Sequence, residues 1–281
     1  MRNGYTILDA HCHIYPARIA AKAVESTDDF YLTHSACRGV VEDMISTCGA
    51  AGTDAFVVQS VASIPHHVGS INRFIAGAVA EGQGKLIGLG TLHPDSPDLA
   101  ADLAELTALG LHGVKLHPDM QKFAIDDKKC YPMYELCEQA GLPMLIHMGD
   151  PRYDFSSPDH LLPVLRDFPD LGIVGAHMGG WMAWDEACDK LSGFANLYVD
   201  TCSSLAAEGK RHGIEPEVVY LDSEHAARLI RAWGADKVLY GTDYPMWSPE
   251  AEMEAFFALG LTEAENRAIL SENALRVFGK S

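Results

Sequence analysis

The 281-residue sequence is poor in basic residues: 21 Lys and Arg stand against 39 Asp and Glu, which gives a formal net charge of −18. A chain with this charge repels nucleic-acid phosphates and anionic lipid headgroups, so neither is expected as a partner. A small anionic substrate is not excluded, because a local cation or a metal ion can override the overall field. We therefore expect a small-molecule ligand, and the sequence is compatible with a homo-oligomer.

Several other features are missing. The seven cysteines are dispersed without a CxxC pair, which is typical of reduced thiols in a cytoplasm. No apolar run reaches the roughly 18 residues of a membrane span, and the first residues carry no apolar core of a secretory signal. We therefore expect a cytoplasmic protein. The GxSxG and GxxxxGK[ST] motifs are also absent, which excludes a serine nucleophile elbow and a P-loop.

Short apolar runs alternate with helix-like stretches along the whole chain. Eight runs can be read, at residues 7–14, 54–60, 86–93, 113–118, 143–148, 172–178, 197–201 and 238–244. Strands that alternate with helices indicate βα units and a parallel sheet. Eight such units predict an α/β fold, a (β/α)8 TIM barrel with extended βα loops, as one domain over residues 1–281. An open doubly wound sheet is the alternative.

Two stretches, 15–38 and 203–222, are longer than a minimal barrel requires. Both follow a predicted strand, and the βα loops of a barrel form the face where its active site lies. We expect them to be walls or lids over a site. The alternative is that they are long loops without a role at the site.

Ionisable residues end many of the apolar runs. His11 and His13 share one face of the first strand, and Asp9 is expected on the same face one step deeper. Lys115 and His117 share one face of the fourth run. His147, His177 and Asp243 lie at the ends of three later runs. Burying imidazoles and charges without partners is costly, and a metal ion would supply one partner for all of them. The pattern therefore predicts a metal site at the C-terminal ends of the strands.

Six motifs together resemble the amidohydrolase superfamily, and within it the amidohydrolase-2 branch that includes relatives of aminocarboxymuconate semialdehyde decarboxylase. They are DAHCH at 9–13, GVKLHP at 113–118, LIH at 145–147, GAHMGG at 175–180, YGTDYP at 240–245 and ENALRVF at 272–278. The match runs in order from the first strand to the last helix, so it covers the whole chain.

The resemblance implies a divalent metal, zinc or alternatively manganese, with one or two ions per chain. It makes His11 and His13 the first-strand metal pair and assigns metal binding to His147 and His177 as well. Asp243 is implied to bind metal and to act as general base for a metal-bound hydroxide nucleophile. In members with one metal, His177 polarises the substrate or shuttles protons instead.

Lys115 has three interpretations at the sequence level. In the first, it resembles the lysine of dihydroorotase-like members, which is carboxylated and bridges two ions. In the second, it stays a cation near the metal and orients a substrate carboxylate. In the third, its stem is buried in the barrel and its ammonium group is paired with Asp9 or Asp243.

Substrate contacts are predicted from the loop after the fifth strand and from the strand ends. Arg152 is placed to bind a carboxylate or phosphate, with Tyr153 and His117 as further substrate residues. The alternative for Arg152 is a surface ion pair with Asp150 or Asp154. A set of aromatic residues just past the strand ends is expected to form a pocket wall, namely Tyr15, Trp181, Trp184, Tyr244 and Trp247.

Two enzymatic functions follow from these features. The first is a metal-dependent hydrolase of a small amide, lactone or ester that carries a carboxylate. The second is a non-oxidative decarboxylase of an aromatic or muconate-type acid, which uses one metal and takes its proton from His177 or from an activated water. A metal-storing barrel is the non-enzymatic alternative, and the convergence of ligands at the catalytic face disfavours it.

Overall fold

The computed structural model describes residues 1–205 and 220–279. Its strands are short and buried, as expected for the interior of a barrel. They are β1 Leu8–His13, β2 Ala55–Gln59, β3 Leu86–Gly88, β4 Gly90–Thr91, β5 Val114–Leu116, β6 Met144–Ile146, β7 Ile173–Gly175, β8 Leu197–Asp200 and β9 Val238–Leu239. All neighbouring strands are parallel, in the order β1-β2-β3 and β4-β5-β6-β7-β8-β9.

Backbone hydrogen bonds join these two groups of strands into one closed barrel. The third predicted run is interrupted at Leu89, whose N–H donates to the Val58 carbonyl at 2.9 Å, so β3 and β4 form one barrel strand. At the other seam, the Ala10 N–H donates to the Tyr240 carbonyl at 2.8 Å. The predicted (β/α)8 barrel is therefore confirmed, and the open-sheet alternative is wrong.

Helices connect the strands and surround the barrel. They are α1 Ala17–Tyr31, α2 Val41–Ala51, α3 Val68–Glu81, α4 Leu99–Ala108, α5 Pro118–Gln121, α6 Tyr131–Ala140, α7 Pro158–Asp167, α8 Trp184–Leu191, α9 Ser223–Trp233, α10 Pro249–Phe257, α11 Glu263–Arg267 and α12 Asn273–Phe278, with a π-helical turn at Ala268–Glu272. Side-chain caps from Asp98, Asp222, Ser248 and Thr262 fix four of the starts, by accepting backbone N–H groups that have no partner within the helix. In the part of the chain that is described, no helix has the length and apolar character needed to cross a bilayer.

The apolar core has two layers. Most of the buried residues pack between the strands and the surrounding helices. A second cluster fills the barrel and contains Leu8, Ala10, Val57, Leu89, Leu145, Val174, Ala176 and Leu239, with Ala274 and Phe278 of α12. Because α12 contributes to this inner cluster, the bottom of the barrel is closed by apolar side chains, and the ionisable residues at the strand ends converge at the opposite end.

The two long βα stretches have different outcomes. Residues 15–38 contain α1, whose side chains form part of a cavity wall, as predicted. In the stretch 203–222, residues 206–219 lie outside the described part of the chain, so its predicted role as a wall or lid stays a prediction.

Candidate metal centre

A cavity of about 380 Å³ opens at the C-terminal ends of the strands. Its floor contains His11, His13, His147, His177 and Asp243, which are the histidines and the aspartate predicted from the strand ends. One face of α1 forms a side wall, with Ala23, Ser26, Thr27, Phe30 and Tyr31 at helical spacing. The volume suits a small molecule and falls within the usual range of ligand pockets.

A β-bulge in β1 aims its two histidines into the barrel. The register with β2 shifts between Asp9 and Cys12, so Ala10 and His11 both lie on the inner side of the strand. The sequence-based placement of Asp9 beside the histidines is therefore wrong. Its carboxylate accepts the N–H of His11 at 3.1 Å, the N–H of Thr242 at 3.0 Å and the Thr242 hydroxyl at 2.6 Å.

The first group of donor atoms comprises two imidazole nitrogens and one carboxylate oxygen. The Nε2 atoms of His11 and His13 are 3.2 Å apart, and Asp243 Oδ1 lies 3.5 and 3.6 Å from them. His11 Nδ1 is 2.8 Å from the Asp200 carboxylate, so it carries the proton and leaves Nε2 with a lone pair. Burial lowers the pKa of His13 well below its ordinary value, which keeps this imidazole neutral.

The second group is the pair His147 and His177. His177 Nδ1 lies 3.2 Å from the carbonyl of Cys202, and His147 Nε2 lies 3.1 Å from the carbonyl of Gly149. A carbonyl oxygen can only accept a hydrogen bond, so each of these two nitrogens carries the proton of its own ring. The other two nitrogens, His177 Nε2 and His147 Nδ1, therefore face each other with lone pairs at 2.8 Å. Burial lowers the pKa of His177 to about 4, so no proton relieves this contact at neutral pH.

Asp243 is held ionised and oriented. The Ser203 hydroxyl donates to Asp243 Oδ2 at 2.6 Å, and Trp247 Nε1 donates to the same hydroxyl at 2.7 Å. Burial opposes ionisation, but the imidazoles of His11, His177 and His13 outweigh it and hold the pKa of Asp243 well below its ordinary value. Oδ2 is thus occupied by Ser203, and Oδ1 faces the β1 histidines.

Lys115 lies among these donors with no exposed surface. Its Nζ is 3.1 Å from His11 Nε2. Burial lowers its pKa, although Asp243 and Asp200 oppose that shift. Pairing with Asp9 is excluded, because Asp9 faces away from the barrel interior. The lysine therefore belongs to the metal-donor region rather than to a separate structural pair.

His117 and Asp119 flank the second group. The His117 ring stacks on His147 with centroids 3.9 Å apart and an interplanar angle of 8°. Its Nε2 is 2.6 Å from the Tyr31 hydroxyl. Asp119 accepts the Ser156 hydroxyl at 2.6 Å, and burial raises its pKa to about 7. One ion cannot lie in the planes of two parallel stacked rings, so we do not assign His117 and His147 to a common metal.

Asp200 and Cys202 are the residues that sequence analysis missed. Asp200 is the last residue of β8, so the rule that found the residues at the other strand ends applies to it too. The Cys202 thiol donates to Asp200 at 2.9 Å and lies 3.1 Å from Nδ1 of both His11 and His177. Its position beneath two histidines depends on tertiary structure, which no local pattern indicates. Together these two residues support the rear side of the donor cluster.

Arg152 and Tyr153 are not brought to the cavity. The guanidinium of Arg152 binds both oxygens of Asp150, at 2.9 and 2.7 Å, and lies against Phe30 and Tyr153. The predicted substrate contact of Arg152 is therefore replaced by its stated alternative, an ion pair with Asp150. Tyr153 stacks on Phe30 behind the cavity wall. Among the aromatic residues expected to form the wall, the described lining contains only Tyr15.

An Asp200→Asn variant tests the support of His11. The amide cannot enforce a protonated Nδ1 on His11 as a carboxylate does, so we expect metal affinity to fall about 10- to 100-fold. Metal titration monitored by calorimetry measures this change. Asp222→Asn, at the exposed cap of α9, is the control and should leave the affinity unchanged; an unchanged affinity in Asp200→Asn would contradict the role of Asp200.

The donor atoms fit a divalent ion. Tetrahedral ligands about 2.1 Å from an ion lie about 3.4 Å apart, and the first group has separations of 3.2, 3.5 and 3.6 Å. The two opposed lone pairs of His147 and His177 also require a cation between them to be favourable. Neutral imidazoles and an ionised carboxylate are the forms in which these side chains bind metal.

Comparisons with known proteins identify the family of this chain. The family model described as Amidohydrolase matches residues 8–280. The 2-amino-3-carboxymuconate-6-semialdehyde decarboxylase of Dictyostelium discoideum is 25% identical over 240 residues, which make up 74% of this chain and 65% of that protein. A dihydroorotase of Cupriavidus necator is 33% identical over 102 residues, 31% of this chain and 30% of that protein. The chain thus spans less than two thirds of the length of either relative.

A solved structure also has a similar fold. The 5-carboxyvanillate decarboxylase of Novosphingobium aromaticivorans, with bound manganese, superimposes with a TM-score of 0.73 at 18% identity, covering 99% of this chain and 98% of that one. At this identity the likeness supports the fold alone. The family match, in contrast, extends over nearly the whole sequence. The chain therefore belongs to the amidohydrolase family, in the amidohydrolase-2 branch of a metal-dependent enzyme superfamily.

Proposed function

We propose that the protein is a metal-dependent hydrolase that cleaves an amide, lactone or ester bond of a small molecule. One observation carries this proposal: two groups of metal-donor atoms lie side by side at the floor of one cavity, with the buried Lys115 next to them. Paired ions that hold both the attacking and the leaving oxygen are a common solution for hydrolysis. The dihydroorotase similarity lends further support.

Two ions would be held by different residues. The first would be bound by His11, His13 and Asp243, and the second by His147 and His177. With two ions bound, Lys115 would not remain an ammonium group, because the ions would repel its charge; its Nζ lies 3.1 Å from His11 Nε2, which the first ion needs. We propose that its neutral amine adds CO2 and loses a proton, which would give a carbamate able to help hold both ions.

The protein's own residues would handle the proton. A divalent ion in this site would polarise the substrate carbonyl and make water more acidic. Asp243 Oδ1 would accept the proton from the attacking water, since Oδ2 is occupied by the Ser203 hydroxyl. The same carboxyl group would then deliver the proton to the leaving nitrogen or oxygen. Trp247 fixes Ser203, so it keeps the accepting oxygen directed at the floor of the cavity.

A decarboxylase is the second candidate, and the decarboxylase relative matched over 240 residues favours it. In that case His11, His13, His147 and Asp243 would bind a single ion. Lys115 would stay a cation that orients the substrate carboxylate. The proton that replaces CO2 on the substrate carbon would come from an activated water, directly or through His177 Nε2, which carries a lone pair.

A substrate screen separates the two functions. Manganese- and zinc-loaded protein is incubated with small lactones and amides, and separately with aromatic and muconate-type acids, while hydrolysis and CO2 release are measured. We expect hydrolysis without CO2 release. An Asp243→Asn preparation controls for contaminating enzymes. CO2 release from an acid, with no lactone or amide cleaved, would overturn the hydrolase in favour of the decarboxylase.

A further inference from the structure

Lys122 is a basic side chain at the mouth of the cavity. It follows α5 and lines the same cavity as the metal-donor residues. The exposed fraction of the side chains rises along this segment. Lys115 is 0% exposed and His117 is 4% exposed, whereas Lys122 is an exposed residue. This segment therefore leads from the floor of the cavity to its entrance, with a lysine at each end.

The backbone holds Lys122 in an unusual conformation. Its φ of +63° is left-handed, a region that costs a residue with a Cβ about 1 kcal/mol or more. Its N–H donates to the carbonyl of Pro118, and the neighbouring Gln121 amide donates to the carbonyls of Ala62 and Leu92 at 3.0 and 2.8 Å. Because these bonds anchor the turn, the side chain of Lys122 emerges from a fixed point on the rim.

The charge of Lys122 is also available to a ligand. Over residues 1–205 and 220–279 it makes no ion pair, and no other Lys or Arg lines the cavity. The chain carries a net charge of −18, so most surface cations have acidic neighbours available. Arg152, the cation expected at this site from the sequence, is bound to Asp150. A substrate anion entering the cavity thus meets Lys122 as its available cationic partner among the described residues.

The surroundings define which ligand this lysine suits. Phe30 and Met120 add apolar surface to the cavity wall, and the floor holds the metal donors. A ligand that fills the cavity is therefore small and partly apolar, with its reacting carbonyl or carboxyl group on the floor and its other end at the rim. An ammonium group at the rim binds a carboxylate more strongly than a neutral group, through charge-assisted hydrogen bonds.

We propose that Lys122 is a specificity-determining residue, which binds a carboxylate on the end of the substrate remote from the metal-donor cluster. The identity of the reaction rests on the proposed function, but the binding of this carboxylate does not. A substrate with two polar ends, one reacting on the floor and one anionic at the rim, follows from this arrangement.

The test compares ligands that differ only in one charge. Isophthalate and glutarate each carry two carboxylates, whereas 3-carbamoylbenzoate and glutaramate keep one carboxylate and replace the other by an amide. Calorimetry on metal-loaded protein should show at least one diacid binding about tenfold more tightly than its half-amide. Lys122→Met should remove this preference by weakening diacid binding alone, and Lys122→Arg should retain it. Lys22→Met, an exposed lysine of α1 outside the cavity lining, is the matched control.

The outcomes separate this inference from the proposed reaction. Equal binding of diacid and half-amide in both pairs, or a preference that survives in Lys122→Met, overturns the role of Lys122. A preference that disappears in Lys122→Met but persists in Lys22→Met supports it. If that result is obtained while no lactone or amide is cleaved, the role of Lys122 stands and the hydrolase proposal fails.

Discussion

Turnover by an Asp243→Asn variant is expected to fall by about 10³-fold or more. The amide cannot accept the proton of the attacking water, and it is a weak metal ligand compared with a carboxylate. Among the described residues, Asp200 cannot replace this carboxylate, because it lies behind the ring of His11, where His11 Nδ1 is 2.8 Å away. The measurement is kcat on any substrate that the screen identifies.

The fold should survive this substitution. Asn retains an oxygen that can accept the Ser203 hydroxyl, which in the wild type donates to Asp243 at 2.6 Å. Circular dichroism and thermal unfolding of the metal-free proteins should therefore match. Asp222→Asn, at an exposed cap, serves as the control for a lost carboxylate. Activity within tenfold of wild type would remove Asp243 from the mechanism.

A Lys115→Ala variant is expected to lose one metal ion per chain, and its activity should fall by about 100-fold or more. The variant would lack the proposed carbamate, so the His147–His177 pair alone would provide too few ligands for the second ion. Short-chain acids such as formate and acetate can enter the space that the side chain leaves. They should restore both the second ion and part of the activity.

The control for this experiment is Lys22→Ala, which removes an exposed lysine and should change neither metal content nor rate. Rescue by acids distinguishes a lost bridge from a damaged fold, since acetate cannot repair misfolding. A Lys115→Ala protein with an unchanged ion count and no response to acids would contradict the bridge. It would leave Lys115 as a cation for the substrate.

The sequence predicted the barrel and the floor of its cavity because both follow from local patterns. A parallel barrel strand is apolar until its C-terminal end, so a histidine or aspartate that closes an apolar run is unusual and easily recognised. The same rule applies to Asp200, which is the last residue of β8 and was missed. The interruption at Leu89 was also missed, since an apolar run does not show where hydrogen bonding passes from one neighbouring strand to the other.

The substrate residues were harder to predict because they depend on tertiary contacts. Arg152 follows a strand end, as an anion-binding residue would, yet Asp150 two positions earlier satisfies its guanidinium. Lys122 has no distinctive local motif, and its position at the rim results from the left-handed turn that ends α5. Asp9 was misplaced because a β-bulge changes which residues face inward, and strict alternation cannot reveal it.

The number of metal ions bound per chain tests the proposed two-metal site most directly. The protein is purified without chelators and with bicarbonate present, so that a carbamate on Lys115 is not lost, and its metals are counted by elemental analysis. We expect two divalent ions per chain, one at His11, His13 and Asp243 and one at His147 and His177. A single ion per chain at saturation would contradict the two-metal site, return Lys115 to an ammonium group and favour decarboxylation over hydrolysis.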